Sequence, residues 1–182
     1  MCKSGITIVI PAYNEESCLP DSLQSIQTAS EHLKSMYGVK TEIIVVNNCS
    51  TDKTSLVAES TGAKVIDHSI RNISSVRNAG IKGARFPIIL AMDADCSISE
   101  NSLSEVFEYM QDEKKIGAAL GLELKTDDPV SQFVFKIVQK VVFRISQIQG
   151  AVFVFRRDDA LEMGGFSESH LIAEDSKFAN DM

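Results

Sequence analysis

The chain has 182 residues, enough for one domain with a buried core, and 44% of them are hydrophobic. It carries 18 Lys and Arg against 25 Asp and Glu, which gives a formal charge of -7. These ordinary values exclude a disordered or collagen-like chain, and the acidic balance argues against a nucleic-acid partner. No apolar run reaches the roughly 18 residues of a membrane span, and residues 6–10 are too few for a convincing signal peptide.

Short apolar runs alternate with helical patterns along the chain. They predict strands at residues 6–10, 42–46, 63–66, 87–92, 116–124 and 151–155. Strands that are apolar throughout are buried on both faces. The alternation therefore predicts a single α/β domain with a parallel sheet and right-handed crossovers.

The predicted helices lie between these strands, and several have residues typical of helix ends. An apolar repeat at three- to four-residue steps predicts the first helix over residues 19–36. The end signals are Gly38 after the first helix, Ser50, Thr51 and Asp52 before a short helix ended by Gly62, and Ser99 before a helix containing Leu103 and Met110. Residues 74–84 predict a further helix between the third and fourth strands.

Three strands of the predicted sheet are followed by polar segments, at residues 11–16, 47–52 and 93–96. In open parallel sheets, ligands bind outside the carboxyl ends of the strands. Asp93 and Asp95 could therefore share a hard divalent cation such as Mg²⁺ or Mn²⁺; the alternative is a solvated turn whose aspartate caps the next helix. Asn47 and Asn48 could pair with a nucleobase or ribose, or simply form a turn.

Two other side chains near these segments could contact a nucleotide. Tyr13 offers a ring for base stacking, and Glu15 offers a carboxylate to a ribose or amide. Arg77 could bind a diphosphate with two hydrogen bonds, or be an ordinary surface cation. The four cysteines form no CxxC pair, so we expect reduced thiols in a cytoplasmic protein, and nothing marks Cys49 or Cys96 as a nucleophile.

A basic segment stands out from the acidic chain. Residues 129–157 contain no Asp or Glu, and Lys136, Lys140 and Arg144 are spaced to form one stripe on a helix. Such a helix, over about residues 129–149, could contact an anionic membrane surface or a lipid phosphate. The alternative is a helix that packs its apolar face on the domain and leaves its cations in water.

Five ordered segments resemble family 2 glycosyltransferases over nearly the whole chain. They are IVIPAYNEE, EIIVVNNCSTDKT, SVRNAGIKGA, LAMDADC, and VFRRDDALEMGGFSE followed by Ala173-Glu174-Asp175. The resemblance implies a GT-A fold, a Rossmann-like three-layer sandwich around a mostly parallel sheet. It also implies one domain over residues 1–182, with a nucleotide-binding half at about 1–96 and an acceptor-side half at about 97–182.

The resemblance further implies an inverting, hexosyltransferase-like enzyme with a nucleotide-sugar donor and a glycan or lipid-linked acceptor. Asp175 would be the catalytic base, and Asp93 and Asp95 would bind Mn²⁺ or Mg²⁺. The implied nucleotide-binding residues are Pro11, Ala12, Tyr13, Glu15, Asn47, Asn48, Ser50, Arg77, Asp93 and Ala94. A protein of this kind would be cytoplasmic or peripheral at the inner face of the membrane.

The sequence departs from the family pattern at two places. The family usually has Asp where Asn47 stands, and often where Asn48 stands. The chain ends at Met182, seven residues after Asp175, so we expect a C-terminally truncated or unusually short chain. These departures motivate an alternative function as a nucleotide-sugar-binding domain without turnover. A sugar nucleotidyltransferase would need a Gly-rich basic loop, and residues 11–16 contain neither Gly nor a basic residue.

Overall fold

The computed structural model describes residues 5–119, Asp128, residues 152–168 and Phe178. The strands are β1 (Gly5–Ala12), β2 (Lys40–Asn47), β3 (Lys64–Asp67), β4 (Ile88–Met92), β5 (Gly117–Ala119) and β6 (Val152–Arg156). The helices are α1 (Leu19–Tyr37), α2 (Thr54–Ser60), α3 (Ile73–Gly83), α4 (Ser102–Tyr109) and α5 (Arg157–Glu162). The alternation predicted from the sequence is thus present over the described residues.

The strands form one sheet in the order β3-β2-β1-β4-β6-β5. Strands β1 to β4 pair in parallel, whereas β6 runs antiparallel to both β4 and β5. The sheet is therefore mostly parallel, as predicted, with an antiparallel strand inserted beside β4. Because β1, β2 and β4 are parallel neighbours, their carboxyl ends lie at one edge of the sheet.

Helices cover both faces of the sheet and complete a three-layer α/β/α sandwich. On one face, β1 packs through Ile6, Ile8 and Ile10 into a core shared with α1, α2 and α4. On the other face, Val9 belongs to a second core shared with α3 and α5. The alternating faces of a strand explain why β1 is buried over all eight of its residues.

Helix α3 lies close to the sheet because Gly80 has no side chain. A Cβ on Gly80 would come 2.2 Å from Val9 Cγ1, in the middle of the buried strand β1. This close approach places the preceding turn of α3, with Arg77, beside the carboxyl ends of β1 and β4. Gly38, with a φ of 66°, ends α1 in the left-handed conformation that the sequence predicts there.

Two predicted helix caps differ from the structure. Lys53 occupies the N-cap of α2, and Asp52 instead accepts a hydrogen bond from the Thr54 amide at 3.0 Å. Asn101 occupies the N-cap of α4, where Ser99 was expected; the Ser99 hydroxyl pairs with Ser102 at 2.8 Å. Each helix begins later than predicted because the preceding polar residues form a turn of their own.

Several predicted features lie outside the described residues. They are the end of the fifth strand beyond Ala119, the basic helix at residues 129–149 and the proposed catalytic residue Asp175. Within the described part of the chain, no helix is both long enough and apolar enough to cross a membrane. Arg156, a cation of the basic segment, donates to the carbonyls of Lys115, Met110 and Asp112 and thereby ties β6 to the turn after α4.

Candidate functional site

A cleft of ≈ 450 Å³ lies at the carboxyl ends of β1, β2 and β4, beside α3. Its lining residues are Pro11, Ala12, Tyr13, Glu15, Asn48, Ile73, Val76, Arg77, Asp93, Ala94 and Asp95. Four separate segments of sequence contribute to it. Three of them follow β1, β2 and β4, which end at the same edge of the sheet, and the fourth is the first half of α3. The cleft therefore lies where an open α/β sheet binds its ligands.

The structure brings most of the predicted site residues into this cleft, but not Asn47 and Ser50. The Asn47 side chain donates to Asp67 Oδ1 at 2.8 Å and accepts from the Ser50 amide at 3.2 Å. The Ser50 hydroxyl accepts from the Asn14 amide at 3.0 Å. Both side chains thus hold neighbouring loops together outside the cleft wall.

Hydrogen bonds between the loops after β1 and β2 hold this part of the cleft in shape. Asn14, at a positive φ of 57°, accepts from the Thr51 amide at 2.8 Å. Glu16 accepts from the Lys53 amide at 2.9 Å, and Asp52 accepts from the Glu16 amide at 3.1 Å. These reciprocal bonds fix the loop that presents Tyr13 and Glu15.

Asn48 lines the cleft, and two backbone carbonyls orient its side-chain amide. Its Nδ2 donates to the backbone carbonyls of His68 and Ile70, at 2.9 Å in each case. An amide nitrogen has only two protons, so both are engaged, and two carbonyl partners require this orientation of the amide. The carbonyl oxygen Oδ1 is left as the polar atom that Asn48 can offer to a ligand.

Arg77 is buried (4% exposed), so it is not the ordinary surface cation of the alternative interpretation. Its Nη2 lies 3.0 Å from Asp93 Oδ1, and its guanidinium carbon lies 5.4 Å from the centre of the Phe166 ring. Helix α4 begins only at Ser102, so Asp93 and Asp95 do not cap it. The alternative in which an aspartate caps the next helix is therefore not what the structure shows.

The cleft offers carboxylate oxygens, which are the ligands that Mg²⁺ and Mn²⁺ prefer. Asp93 and Asp95 both line it, whereas no group of three or more His, Cys, Asp or Glu suited to a metal occurs in the part of the chain described. A cation held by this pair would complete its coordination with oxygens of a ligand or of water. The chemistry of the two aspartates thus fits a cation bound together with an anionic ligand.

The acidic cleft also affects Glu15 and Cys96. Burial raises the pKa of the Glu15 carboxyl from its usual 4.5, and the charges of Asp95, Asp52 and Asp93 raise it further. Burial likewise raises the pKa of the Cys96 thiol to about 11, with further contributions from Asp95 and Asp93. Cys96 is therefore a protonated thiol at neutral pH, as expected for a cysteine that is not a nucleophile.

Replacing Glu15 by glutamine is expected to stabilise the cation-free protein at about pH 7. Its folded-state pKa lies above the unfolded value, so ionisation of Glu15 costs folding free energy as the pH rises through the folded-state pKa. The gain should vanish at about pH 3.5, where the carboxyl is protonated in both states. Thermal unfolding in EDTA at the two pH values measures it. Glu59→Gln, at an exposed position of α2, is the control. An equal gain at both pH values would contradict the raised pKa of Glu15 as the cause of the stabilisation.

Asn78 joins α3 to the segment after α5. Its Oδ1 accepts from the Phe166 amide at 2.8 Å, and its Nδ2 donates to the Phe166 carbonyl at 2.9 Å. Gly165 makes this possible, because its φ is +77° and a Cβ there would lie 2.3 Å from Asn78 Oδ1. The adjacent residues Arg77 and Asn78 thus connect the Asp93 side of the cleft with residues 164–168.

Three phenylalanine rings pack together beneath this segment. The Phe166 and Phe178 rings are stacked with centroids 4.0 Å apart, and Phe155 packs on Phe178 at 5.0 Å. All three rings are buried, and Phe178 is 2% exposed. Phe166 also lies under the Arg77 guanidinium, 5.4 Å from its carbon, so this ring cluster contacts the buried arginine of the cleft.

The sequence reasoning missed three residues of this region. Ile73 and Val76 line the cleft, and their spacing before Arg77 on a helix was a signal that could have identified them. Arg71 stacks on Tyr13, with its guanidinium carbon 4.8 Å from the ring centre. No sequence pattern marks this last contact, because the two residues lie on different loops.

Comparison with known proteins agrees with this arrangement. Residues 7–160 match glycosyl transferase family 2. An uncharacterized glycosyltransferase of Mycobacterium tuberculosis is 33% identical over 106 residues, covering 58% of this chain and 44% of the relative. The fold is similar to Staphylococcus aureus TarS in complex with UDP-GlcNAc, with a TM-score of 0.76, 21% identity, and coverage of 97% of this chain and 52% of TarS 1-349.

A second solved structure shows the same fold. Mannosyltransferase PcManGT from Pyrobaculum calidifontis, in complex with GDP-Man and Mn²⁺, has a TM-score of 0.73 and 19% identity, covering 96% of this chain and 50% of the other. The chain thus spans about half the length of these proteins. The predicted GT-A-like α/β fold is confirmed by these similarities. Since the family match covers most of the sequence, the chain belongs to glycosyl transferase family 2.

Proposed function

We propose that this domain transfers a sugar from a nucleotide-sugar donor to an acceptor, with a divalent cation and inversion at the anomeric carbon. The observation that carries the proposal is the cleft in which Tyr13, Asn48, Arg77, Asp93 and Asp95 converge. Membership of the family supports it, as do the donors bound to similar structures: UDP-GlcNAc in TarS and GDP-Man with Mn²⁺ in PcManGT. The acceptor would supply a hydroxyl or a lipid phosphate.

The orientation of Asn48 favours a particular class of nucleobase. With both amide protons engaged, it offers the acceptor Oδ1 to the cleft. Uracil and guanine have a ring N–H that can donate to this oxygen, whereas cytosine and adenine can donate to it only through their exocyclic amino groups, because their corresponding ring nitrogens are acceptors. An oxygen that faces such a ring nitrogen leaves both acceptors without a hydrogen bond, so cytosine or adenine would have to shift in the cleft to present its amino group. The donor in this proposal is therefore a uridine or guanosine diphosphate sugar.

The opposite end of the cleft would hold the diphosphate. Asp93 and Asp95 would bind Mn²⁺ or Mg²⁺, and Arg77 would hold its aspartate partner in place and face the phosphates. The cation supplies positive charge that stabilises the departing diphosphate. The low exposure of Arg77 strengthens its electrostatic contribution, because little water screens it.

Asp175 would accept the proton of an acceptor hydroxyl. The hydroxyl oxygen would then bond to the anomeric carbon while the bond from this carbon to the diphosphate breaks, so the configuration inverts. A phosphate acceptor is already anionic and would need no such base. The resemblance of Ala173-Glu174-Asp175 to the family pattern supports this role for Asp175.

Titration calorimetry with Mn²⁺ and the four nucleoside diphosphates UDP, GDP, CDP and ADP tests the proposed donor class. UDP or GDP should bind about tenfold more tightly than CDP and ADP, the cost of an acceptor left without a hydrogen bond in the complex. Pyrophosphate serves as the control that lacks a base. Equal affinities for UDP and CDP would contradict the assigned role of Asn48.

Hydrolysis or transfer assays with UDP-GlcNAc and GDP-Man in Mn²⁺ separate catalysis from binding alone. The wild-type chain should release nucleoside diphosphate, and Asp175→Asn should lower this rate without changing the Kd for UDP or GDP. Tight binding with no turnover would instead favour a nucleotide-sugar-binding domain.

A further inference from the structure

Arg71 lies outside the cleft and packs on the ring of Tyr13, which forms part of the cleft wall. Tyr13 lines the cleft and is 46% exposed, whereas Arg71 is not among the lining residues. The Arg71 guanidinium carbon lies 4.8 Å from the ring centre, and Nη2 lies 3.3 Å from the Tyr13 hydroxyl. We propose that Arg71 is a positioning residue that holds the Tyr13 ring in place for the nucleobase, an inference that rests on the proposed function.

Tyr13 needs such a partner because of its position. It follows β1 directly and its side chain reaches into solvent, so a free ring would rotate about two bonds. Ordering a side chain when the ligand binds costs conformational entropy and lowers the affinity. A ring that is already held in place avoids this cost. A cation stacked on the ring, with an added hydrogen bond to its hydroxyl, restricts this motion.

The backbone on both sides of Arg71 is itself held. The Ile70 carbonyl accepts from Asn48 Nδ2 at 2.9 Å and from the Asn72 amide at 3.0 Å. Asn72 is the N-cap of α3, and its side chain accepts from the Ser75 amide at 3.0 Å. The same turn therefore orients the Asn48 amide and presents the arginine to Tyr13.

This arrangement gives the base end of the cleft two fixed elements. Asn48 offers one acceptor, and Tyr13 offers its ring as part of the cleft wall. Arg71 contacts this ring from outside the cleft. Ile73, which is 39% exposed and follows the same turn, adds an apolar surface to the wall. A base bound there would contact groups whose positions depend on a single short turn, residues 70–72.

A double-mutant cycle with UDP and GDP in Mn²⁺ tests the inference. Arg71→Gln should raise the Kd of the preferred nucleotide about two- to fivefold, the contribution of an exposed cation–π contact. In a Tyr13→Leu background the same substitution should have no effect, because no ring remains to be held. An equal loss in both backgrounds would overturn the inference, as would no loss in either.

Two controls distinguish a positioning role from other effects. Pyrophosphate with Mn²⁺ should bind wild type and Arg71→Gln equally; weaker pyrophosphate binding by the variant would show that Arg71 acts on the phosphates and would overturn the inference. Arg85 stacks on Phe86 at 4.6 Å and neither residue lines the cleft, so Arg85→Gln removes a comparable contact and should leave the Kd unchanged. If wild type binds neither UDP nor GDP, the proposed function itself fails, and the inference fails with it.

Discussion

Replacing Asp95 by asparagine is expected to lower the rate of donor turnover on the order of 100-fold. Asp95 lines the cleft with Asp93, and no larger group suited to a metal occurs among the described residues, so in the proposed site each carboxylate would supply a large share of the protein ligands. An amide oxygen carries no charge and binds a divalent cation more weakly. Release of nucleoside diphosphate, measured across a range of Mn²⁺ concentrations, checks this result.

Asp21→Asn is the matched control for Asp95. Asp21 lies in the first turn of α1 and shares a neighbouring cavity of ≈ 490 Å³ with Asp95, so its substitution removes a nearby negative charge without removing a predicted ligand. Its turnover should equal that of wild type. The cation site would be wrongly assigned if the two variants lost activity equally, or if excess Mn²⁺ left the Asp95 variant fully active.

Replacing Phe178 by alanine is expected to destabilise the protein by about 3–5 kcal/mol, the usual cost of removing a buried phenylalanine ring. The ring is 2% exposed, stacks on Phe166 and contacts Phe155 at its edge, so its removal opens a cavity between rings. Urea denaturation followed by circular dichroism measures the change.

Leu56→Ala provides the control for Phe178. Leu56 on α2 is 63% exposed, so its truncation should change the free energy of unfolding by no more than about 0.5 kcal/mol. A similarly small effect at Phe178 would mean that the cluster of Phe155, Phe166 and Phe178 contributes little to the stability of the core.

Much of the framework follows from local sequence patterns. The strands β1, β2 and β4 were predictable because continuous apolar runs need burial on both faces, and α1 because its apolar residues recur at helical spacing up to Gly38. The position of the cleft followed as well, since the polar segments after parallel strands must meet at one edge of the sheet. Eleven residues line that cleft, and all but Ile73 and Val76 were predicted site residues.

The sequence by itself therefore determined the α/β class and indicated that the polar segments with Tyr13, Asn48, Asp93 and Asp95 lie at the ligand-binding edge of the sheet. Only the tertiary structure decided that β6 inserts antiparallel beside β4, that the Asn78 side chain hydrogen-bonds the Phe166 backbone, and that Arg71 stacks on Tyr13. The physical reason is distance along the chain. Periodicity and capping report on neighbours within a few residues, whereas Asn78 and Phe166 are 88 residues apart and meet because α3 and the segment after α5 pack on the same face of the sheet.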